Sequence, residues 1–220
     1  MKVSKYYNSY WLKHGGKNDF LSYERNLVLP DLFIEKETVL DLACGEGIVS
    51  EYLQNNKGIK IIGADISERA LKIAQGKGIK TVRIDIEKKL PFKDHSFDCV
   101  FWGDNIEHLF DPEQVLKEIN RVLKDKGRLI LSFPNIAYWR YRIFHLITGN
   151  IEDTEWSGNP PWKWLHIRFF NLSILSKLLS KCGFKIRKKI GVSKRLPDKI
   201  ILPFMATLFG MILIVEAKKV

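Results

Sequence analysis

Apolar positions along the chain fall into two rhythms. Short, nearly continuous apolar runs occur at 38–42, 59–64, 79–84, 97–102, 127–133, 184–192 and 210–217, which predicts seven strands. Between the first five lie segments of helical spacing: 47–55, 68–76 opened by Ser67 as N-cap, and 112–124 with Asp111 as cap and Pro112 at the first helical position. Alternation of strand and helix requires right-handed crossovers, and therefore an α/β fold built on a parallel sheet. After the fifth strand the alternation loosens. A helix is expected near 137–148, then a long polar and aromatic stretch to about 168. Asn171 then caps a helix in which Leu172, Leu175, Leu179 and Cys182 share one face and which Gly183 closes. A further helical connection is expected near 197–208.

The first two strands carry the chemistry. Val39-Leu40-Asp41-Leu42-Ala43-Cys44-Gly45-Glu46-Gly47 is a buried strand running into a small-residue turn, and Ile61-Ile62-Gly63-Ala64-Asp65 is a second strand ending in a carboxylate. Small residues at 43, 45 and 47 let the backbone turn sharply and approach a ligand, and the amides opening the next helix face the same place. Asp65 can accept two hydrogen bonds from a ribose diol. A dinucleotide site would read G-x-G-x-x-G and cradle a pyrophosphate. Here the third glycine is missing, and Asp41 would repel a pyrophosphate; it suits a cationic ligand.

From about residue 36 onward the chain resembles the class I S-adenosylmethionine-dependent methyltransferases, whose first motif is an acidic residue followed by alternating small residues. Ala43 stands where the first glycine is commoner. The resemblance implies a Rossmann-like, seven-stranded, mostly parallel sheet with helices on both faces and an antiparallel last strand, and S-adenosylmethionine as cofactor. It assigns Asp41, Ala43, Gly45 and Gly47 to the first-motif turn and Asp65 with Ile66 to the ribose. Asp85 would accept from the adenine amino group, with the Ile86 amide facing the ring. Leu90-Pro91-Phe92 and Ser96-Phe97-Asp98-Cys99-Val100 match the family's approach to the fourth strand. That strand ends in Phe101-Trp102-Gly103-Asp104-Asn105-Ile106-Glu107-His108-Leu109, a loop that should flank the cofactor's methionine part and the acceptor. Backbone carbonyls near Trp102 and Gly103 could take the ammonium group.

Two histidines are candidate catalytic groups. His108, in the Glu107-His108 pair, is a base or orienting group on one reading and a packing residue on the other. His166, in Leu165-His166-Ile167-Arg168-Phe169-Phe170, resembles the segment after the fifth strand in methyltransferase type 11 and type 12 relatives; a structural histidine is the alternative. Tyr138, Trp139, Tyr141, Trp156, Trp162 and Trp164 form either an apolar lid over the substrate or a satellite core. Asn159-Pro160-Pro161-Trp162 looks like an amino-group-binding box, but it follows the fifth strand rather than the fourth, so a turn is expected. The aromatic start, Tyr6 to Trp11, either folds over the cofactor, with Tyr6 or Tyr10 at its carboxylate, or simply packs.

Composition narrows the partners. A chain of 220 residues, 45% hydrophobic, fits a single domain over 1–220 with an aromatic lid insertion near 137–170. The net charge of +11 is scattered, with one dense cluster at Lys185, Arg187, Lys188, Lys189, Lys194 and Arg195. The scatter argues against a nucleic-acid partner and for a solvated strand face and loop. Cys44, Cys99 and Cys182 lack metal-ligand spacing and fit reduced thiols. No signal segment is visible, and the apolar stretch 200–215, interrupted by Pro203 and Gly210, is too short for a membrane span, so a cytoplasmic location is expected.

A sulfonium methyl is already activated, so the expected reaction is in-line transfer to a small-molecule acceptor, with no metal required and His108 or His166 as base for a hydroxyl or carbon acid. Within the family, Phe133 to Arg142 and the later Trp-rich stretch look like the MetW group. That likeness implies an alternative: a cofactor-sensing protein assisting a homoserine acyltransferase partner in methionine biosynthesis, with little methyl transfer of its own. An RNA or DNA methyltransferase is supported by charge alone.

Overall fold

In a computed structural model, which describes residues 2–16, 20–154, 158–193, 200–201 and 205–220, the apolar runs pair into one sheet. The strands are β1 (Thr38–Leu42), β2 (Lys60–Asp65), β3 (Lys80–Arg83), β4 (Phe97–Gly103), β5 (Leu123–Pro134), β6 (Phe184–Val192), β7 (Ile200–Ile201) and β8 (Ile212–Lys219). Their order is β3-β2-β1-β4-β5-β8-β6-β7. The first five are mutually parallel, while β8 runs antiparallel to both neighbours, β5 and β6. Seven strands are those expected. The eighth, β7, adds two residues at the edge, opposite Gly191 and Val192.

The helices are α1 (Lys2–His14), α2 (Ile48–Lys57), α3 (Glu68–Gly76), α4 (Pro112–Val122), α5 (Trp139–Thr148), α6 (Leu172–Lys181) and α7 (Ala206–Phe209). The predicted caps are present: Ser67 Oγ accepts from Ala70 N–H, Asp111 from Gln114 N–H and Asn171 from Ile174 N–H. Only Ala206–Phe209 of the helix expected near 197–208 is helical among the described residues. Ile200 and Ile201 pair with β6 instead, while 197–199 and 202–204 lie outside the described residues. Strand β5 starts earlier than expected because Leu123 pairs with Phe97, ahead of a register shift that brings Arg128 opposite Cys99.

The two-residue period of the central strands sorts the core into two layers. Leu40, Leu42, Val100, Trp102, Leu129 and Leu131 face α4 and α6, meeting Leu116, Ile119, Leu175 and Leu179. Val39, Cys99, Phe101 and Ile130 face the other way, toward Val49 and Leu53 of α2 and toward Leu29, Leu32 and Phe33. Tyr138, Tyr141 and Met211 make a small third cluster with Trp139 against it, so these aromatics form a satellite core. On β6, Lys185, Arg187, Lys188 and Lys189 are exposed; Lys194 and Arg195 lie outside the described residues. No helix among the described residues is long and apolar enough to cross a membrane.

Strand order reverses between β1 and β4: the chain proceeds outward from β1 to β3, then returns to β4 on β1's other side. Crossovers diverge there and leave a crevice beyond the carboxyl ends of the strands.

Candidate active site

A cavity of about 900 Å³ occupies that crevice. Of the residues singled out in the sequence, Ala43, Gly45, Asp65, Ile66, Asp85, Ile86, Gly103, His108 and His166 line it. Tyr6, Tyr10 and Trp11 of α1 also line it, so the aromatic start of the chain forms one wall.

The turn after β1 is left-handed at three alternate positions, with φ of +60° at Ala43, +55° at Gly45 and +72° at Gly47. Only glycine takes such angles without cost, and Ala43 holds a strained one. A Cβ on Gly45 would lie 2.6 Å from the Trp11 ring, so the bare backbone there is what lets α1 close down. Asp65 reaches across to this turn: its Oδ2 accepts from Gly45 N–H at 2.9 Å and its Oδ1 from Ser67 N–H at 2.8 Å. Burial raises its pKa, opposed by these backbone bonds. Asp85 accepts from Glu87 N–H at 3.2 Å, a local turn that holds its carboxylate at the cavity wall.

Three expected residues stand behind the wall. Gly47 is the N-cap of α2, and a Cβ there would come within 3.0 Å of Ala74, so it serves close packing on α3. Trp102 is fully buried, with its indole N–H donating to Asn105 Oδ1 at 3.1 Å; the cavity reaches Gly103 beyond it. Asp41, in phase with Val39, faces α2 and accepts from Ser50 Oγ at 2.7 Å. Burial pushes its pKa up to about 6. It lines a smaller adjoining cavity of about 130 Å³, shared with Ala43, Gly45 and Gly103.

Arg25 lines that smaller cavity, and sequence reasoning gave it no role. Its guanidinium pairs with Asp104, donates to Ser132 Oγ at 3.3 Å, and lies where a Cβ on Gly103 would come within 3.0 Å of Nη1. Nothing near Arg25 in the sequence signals this. It sits in a single short 3-10 turn, Glu24–Leu27, outside the strand–helix alternation, and only the fold carries it to the end of β4.

At the other end of the large cavity the two histidines meet. His108 and His166 stack edge to face with ring centroids 4.8 Å apart. His108 Nδ1 bonds the Leu165 carbonyl at 3.0 Å, and His166 Nδ1 bonds Thr154 Oγ1 at 2.6 Å. His166 Nε2 lies 3.8 Å from Glu107 Oε1, and Glu107 is buried. Desolvation, with the neighbouring His108, lowers the His166 pKa to about 4. The Glu107 carbonyl accepts from both Ile167 and Arg168 N–H at 3.0 Å, which joins the loop after β4 to the segment after α5. One ligating atom each from Glu107, His108 and His166 lies within 4.8 Å of the others, a donor set a metal ion could take. Asn159 lines the cavity, but the run beginning there folds into a short turn at Pro161–Lys163, as expected. Trp164 turns its indole N–H back to the Asn159 carbonyl at 2.8 Å. Trp156 lies outside the described residues.

A family described as a methyltransferase domain matches residues 40–131. A demethylmenaquinone methyltransferase of Staphylococcus aureus is 32% identical over 205 residues, covering 83% of this chain and 85% of the relative. The chain belongs to the S-adenosylmethionine-dependent methyltransferases. An uncharacterised Methanocaldococcus jannaschii protein is 30% identical over 155 residues, 70% of this chain; the match spans only 57% of that relative. Among solved structures, a Thermotoga maritima S-adenosylmethionine-dependent methyltransferase, described as a possible histamine N-methyltransferase, superposes with a TM-score of 0.69 at 25% identity, covering 100% of this chain and 97% of the other.

The methyltransferase cofactor fits what the residues offer. S-adenosylmethionine needs carboxylates for its ribose and adenine, a close backbone approach, and a group for its own carboxylate. Groups of these kinds, Asp65 and Asp85 on the larger cavity, Arg25 on the smaller and the left-handed turn on both, line the two adjoining cavities.

Proposed function

We propose that this methyltransferase transfers a methyl group to a small-molecule acceptor seated against His108 and His166. The observation that carries the reading is the two-ended cavity: Asp65 and Asp85 line the same space as His108 and His166. S-adenosylmethionine, when bound, supplies a methyl carbon activated by a sulfonium. Asp65 and Ile66 would hold the ribose, Asp85 and the Ile86 amide the adenine, and Gly103 with Arg25 the amino-acid end. Gly45 gives the backbone approach, while Asp41 and Gly47 shape the turn from behind. Helix α1 and the segment 159–166 act as a lid that keeps water out.

On the acceptor side, a neutral His108 whose Nδ1–H donates to Leu165 carries its basic lone pair on Nε2. That atom would take the proton from an acceptor hydroxyl or acidic carbon, with His166 holding the ring edge to face. The kinship with an enzyme named for demethylmenaquinone supports a small-molecule acceptor.

Calorimetry with S-adenosylmethionine and S-adenosylhomocysteine, followed by methyl transfer to a panel of phenols, quinols and amines, tests this. Expected are cofactor binding and turnover with at least one hydroxyl or quinol acceptor. His108→Ala should lower kcat by about a hundred-fold or more with cofactor affinity kept. Cofactor binding without turnover on any acceptor would favour the cofactor-sensing role instead.

A further inference from the structure

We propose that Glu107, His108 and His166 form a site for one divalent transition-metal cation at the acceptor end of the cavity. The inference rests on the reading of that end as the acceptor's place and refines how it works. One ligating atom from each residue lies within 4.8 Å of the other two. Donors around an ion with bonds of about 2.0–2.2 Å stand about 3–4 Å apart, so small side-chain rotations close the set.

Both imidazoles are already oriented through Nδ1, by the Leu165 carbonyl at 3.0 Å and the Thr154 hydroxyl at 2.6 Å. Outer partners of this kind fix the ring and present Nε2 as the ligating atom. For His166 that atom faces Glu107 Oε1 at 3.8 Å. The two ligand-bearing segments are tied together beside the site, because Ile167 and Arg168 N–H both donate to the Glu107 carbonyl at 3.0 Å. Two imidazoles and one buried carboxylate on one wall, with open cavity opposite, suit manganese, iron or zinc and leave coordination positions for a ligand oxygen. With an ion held there, His108 Nε2 would be a ligand instead of the base, and an acceptor hydroxyl on the ion would become more acidic and give up its proton to solvent. The acceptor class is therefore one with an oxygen beside the methylated position.

The test is a Mn²⁺ titration of the tag-free, chelator-treated full chain read by electron paramagnetic resonance, with Zn²⁺ as competitor. Wild type, Glu107→Gln and His166→Ala are compared, and S-adenosylmethionine affinity is measured on the same samples. One Mn²⁺ per chain is expected, displaced by Zn²⁺ and bound about ten- to hundred-fold more weakly in each variant. Absent binding, or binding of equal strength in the variants, overturns the site. Should Glu107→Gln fail to fold, His108→Ala serves the same comparison. The metal readout needs neither cofactor nor acceptor, so a wild-type chain that takes Mn²⁺ but not S-adenosylmethionine would count against the methyltransferase reading alone.

A separate observation concerns α5. Every residue from Arg142 to Asn150 is exposed. Ile143, Leu146 and Ile147, at 46, 84 and 77% exposure, follow the i, i+3, i+4 spacing of one helical stripe. The stretch 139–151 contains Arg140 and Arg142 and no carboxylate. An outward apolar stripe flanked by arginines complements an anionic lipid surface. We infer that α5 lies in the headgroup layer of an anionic membrane, a few residues along the chain from Thr154 at the cavity wall.

Co-sedimentation with vesicles of phosphatidylcholine alone or mixed with phosphatidylglycerol tests it, using the intact chain and a Leu146→Glu, Ile147→Glu variant. Binding to the anionic vesicles that weakens with salt and vanishes in the variant is expected. No binding, or equal binding by the variant, overturns it. A concentration-dependent dimer abolished by the same substitutions would also overturn it, assigning the stripe to a second copy.

Discussion

Asp65 accepts the Gly45 N–H at 2.9 Å, so the carboxylate ending β2 is docked on the turn that ends β1. Its other oxygen accepts from Ser67 N–H at 2.8 Å, where α3 is about to start. The carboxylate thus organises the turn and lines the cavity, and the proposed function gives its remaining lone pairs to the ribose. Asp65→Ala should weaken S-adenosylmethionine binding by about 1.5–3 kcal/mol, roughly ten- to hundred-fold, measured by calorimetry. Unchanged affinity would remove Asp65 from the cofactor site.

Arg25 makes a second, more selective prediction. Its guanidinium lies against Gly103 and pairs with Asp104, beside the cavity that Ala43 and Gly45 also line. If it holds the cofactor's carboxylate, Arg25→Met should weaken S-adenosylhomocysteine by about ten-fold or more and leave methylthioadenosine, which lacks the carboxylate, nearly unaffected. Equal losses for both ligands would reduce Arg25 to a support for Asp104. Gly103→Ala should mimic the substitution, because a Cβ there would crowd Nη1 at 3.0 Å.

These two residues mark the limit of what the sequence discloses. Asp65 was legible because a carboxylate ending a buried strand after a glycine turn has few other uses. Asp85 came from the family resemblance, since by itself a carboxylate two residues beyond β3 reads as an ordinary turn residue; period-two burial made strands β1 to β5 readable. Trp102 and Gly47 belong to the right motifs, yet motif position does not say which side of the backbone meets the cavity; that follows from packing on Asn105 and Ala74. Arg25 had no local signal at all. The meeting of His108 with His166 likewise depends on the long-range bonds from Ile167 and Arg168 to the Glu107 carbonyl. In the connection expected to be helical near 197–208, Ala206–Phe209 is helix but Ile200–Ile201 is strand, because an apolar run of intermediate length fits helix and strand alike.

Asp41 predicts a pH dependence. Burial, opposed by the Ser50 hydroxyl and the Arg25 charge, pushes its pKa up from 3.8 to about 6. Between those values the folded chain retains a proton that the unfolded chain has lost. Stability should therefore fall as pH rises from about 4 to about 6, levelling off about 3 kcal/mol lower. Asp41→Asn keeps an acceptor for Ser50 and carries no charge, so urea unfolding of the variant should lack this slope. Identical pH profiles for the two proteins would mean that Asp41 is ionised at little cost in the fold.

Helix α1 closes the cavity through one side chain that spans two elements. Asn8 Oδ1 accepts from Ser67 Oγ at 2.8 Å and from Arg69 N–H at 3.3 Å, fixing α1 on the first turn of α3 just past Asp65. Ser67 keeps its own capping bond to Ala70 N–H without Asn8, so Asn8→Ala should loosen α1 and spare α3. The loss of about 1 kcal/mol corresponds to about five-fold faster hydrogen exchange of the α1 amides, with β1 and β4 protection unchanged. If α1 gates the cofactor, dissociation of S-adenosylmethionine in stopped flow should accelerate by a similar factor. Faster exchange without faster release would make α1 a wall that stays shut through other contacts, the Trp11 ring on Gly45 first among them.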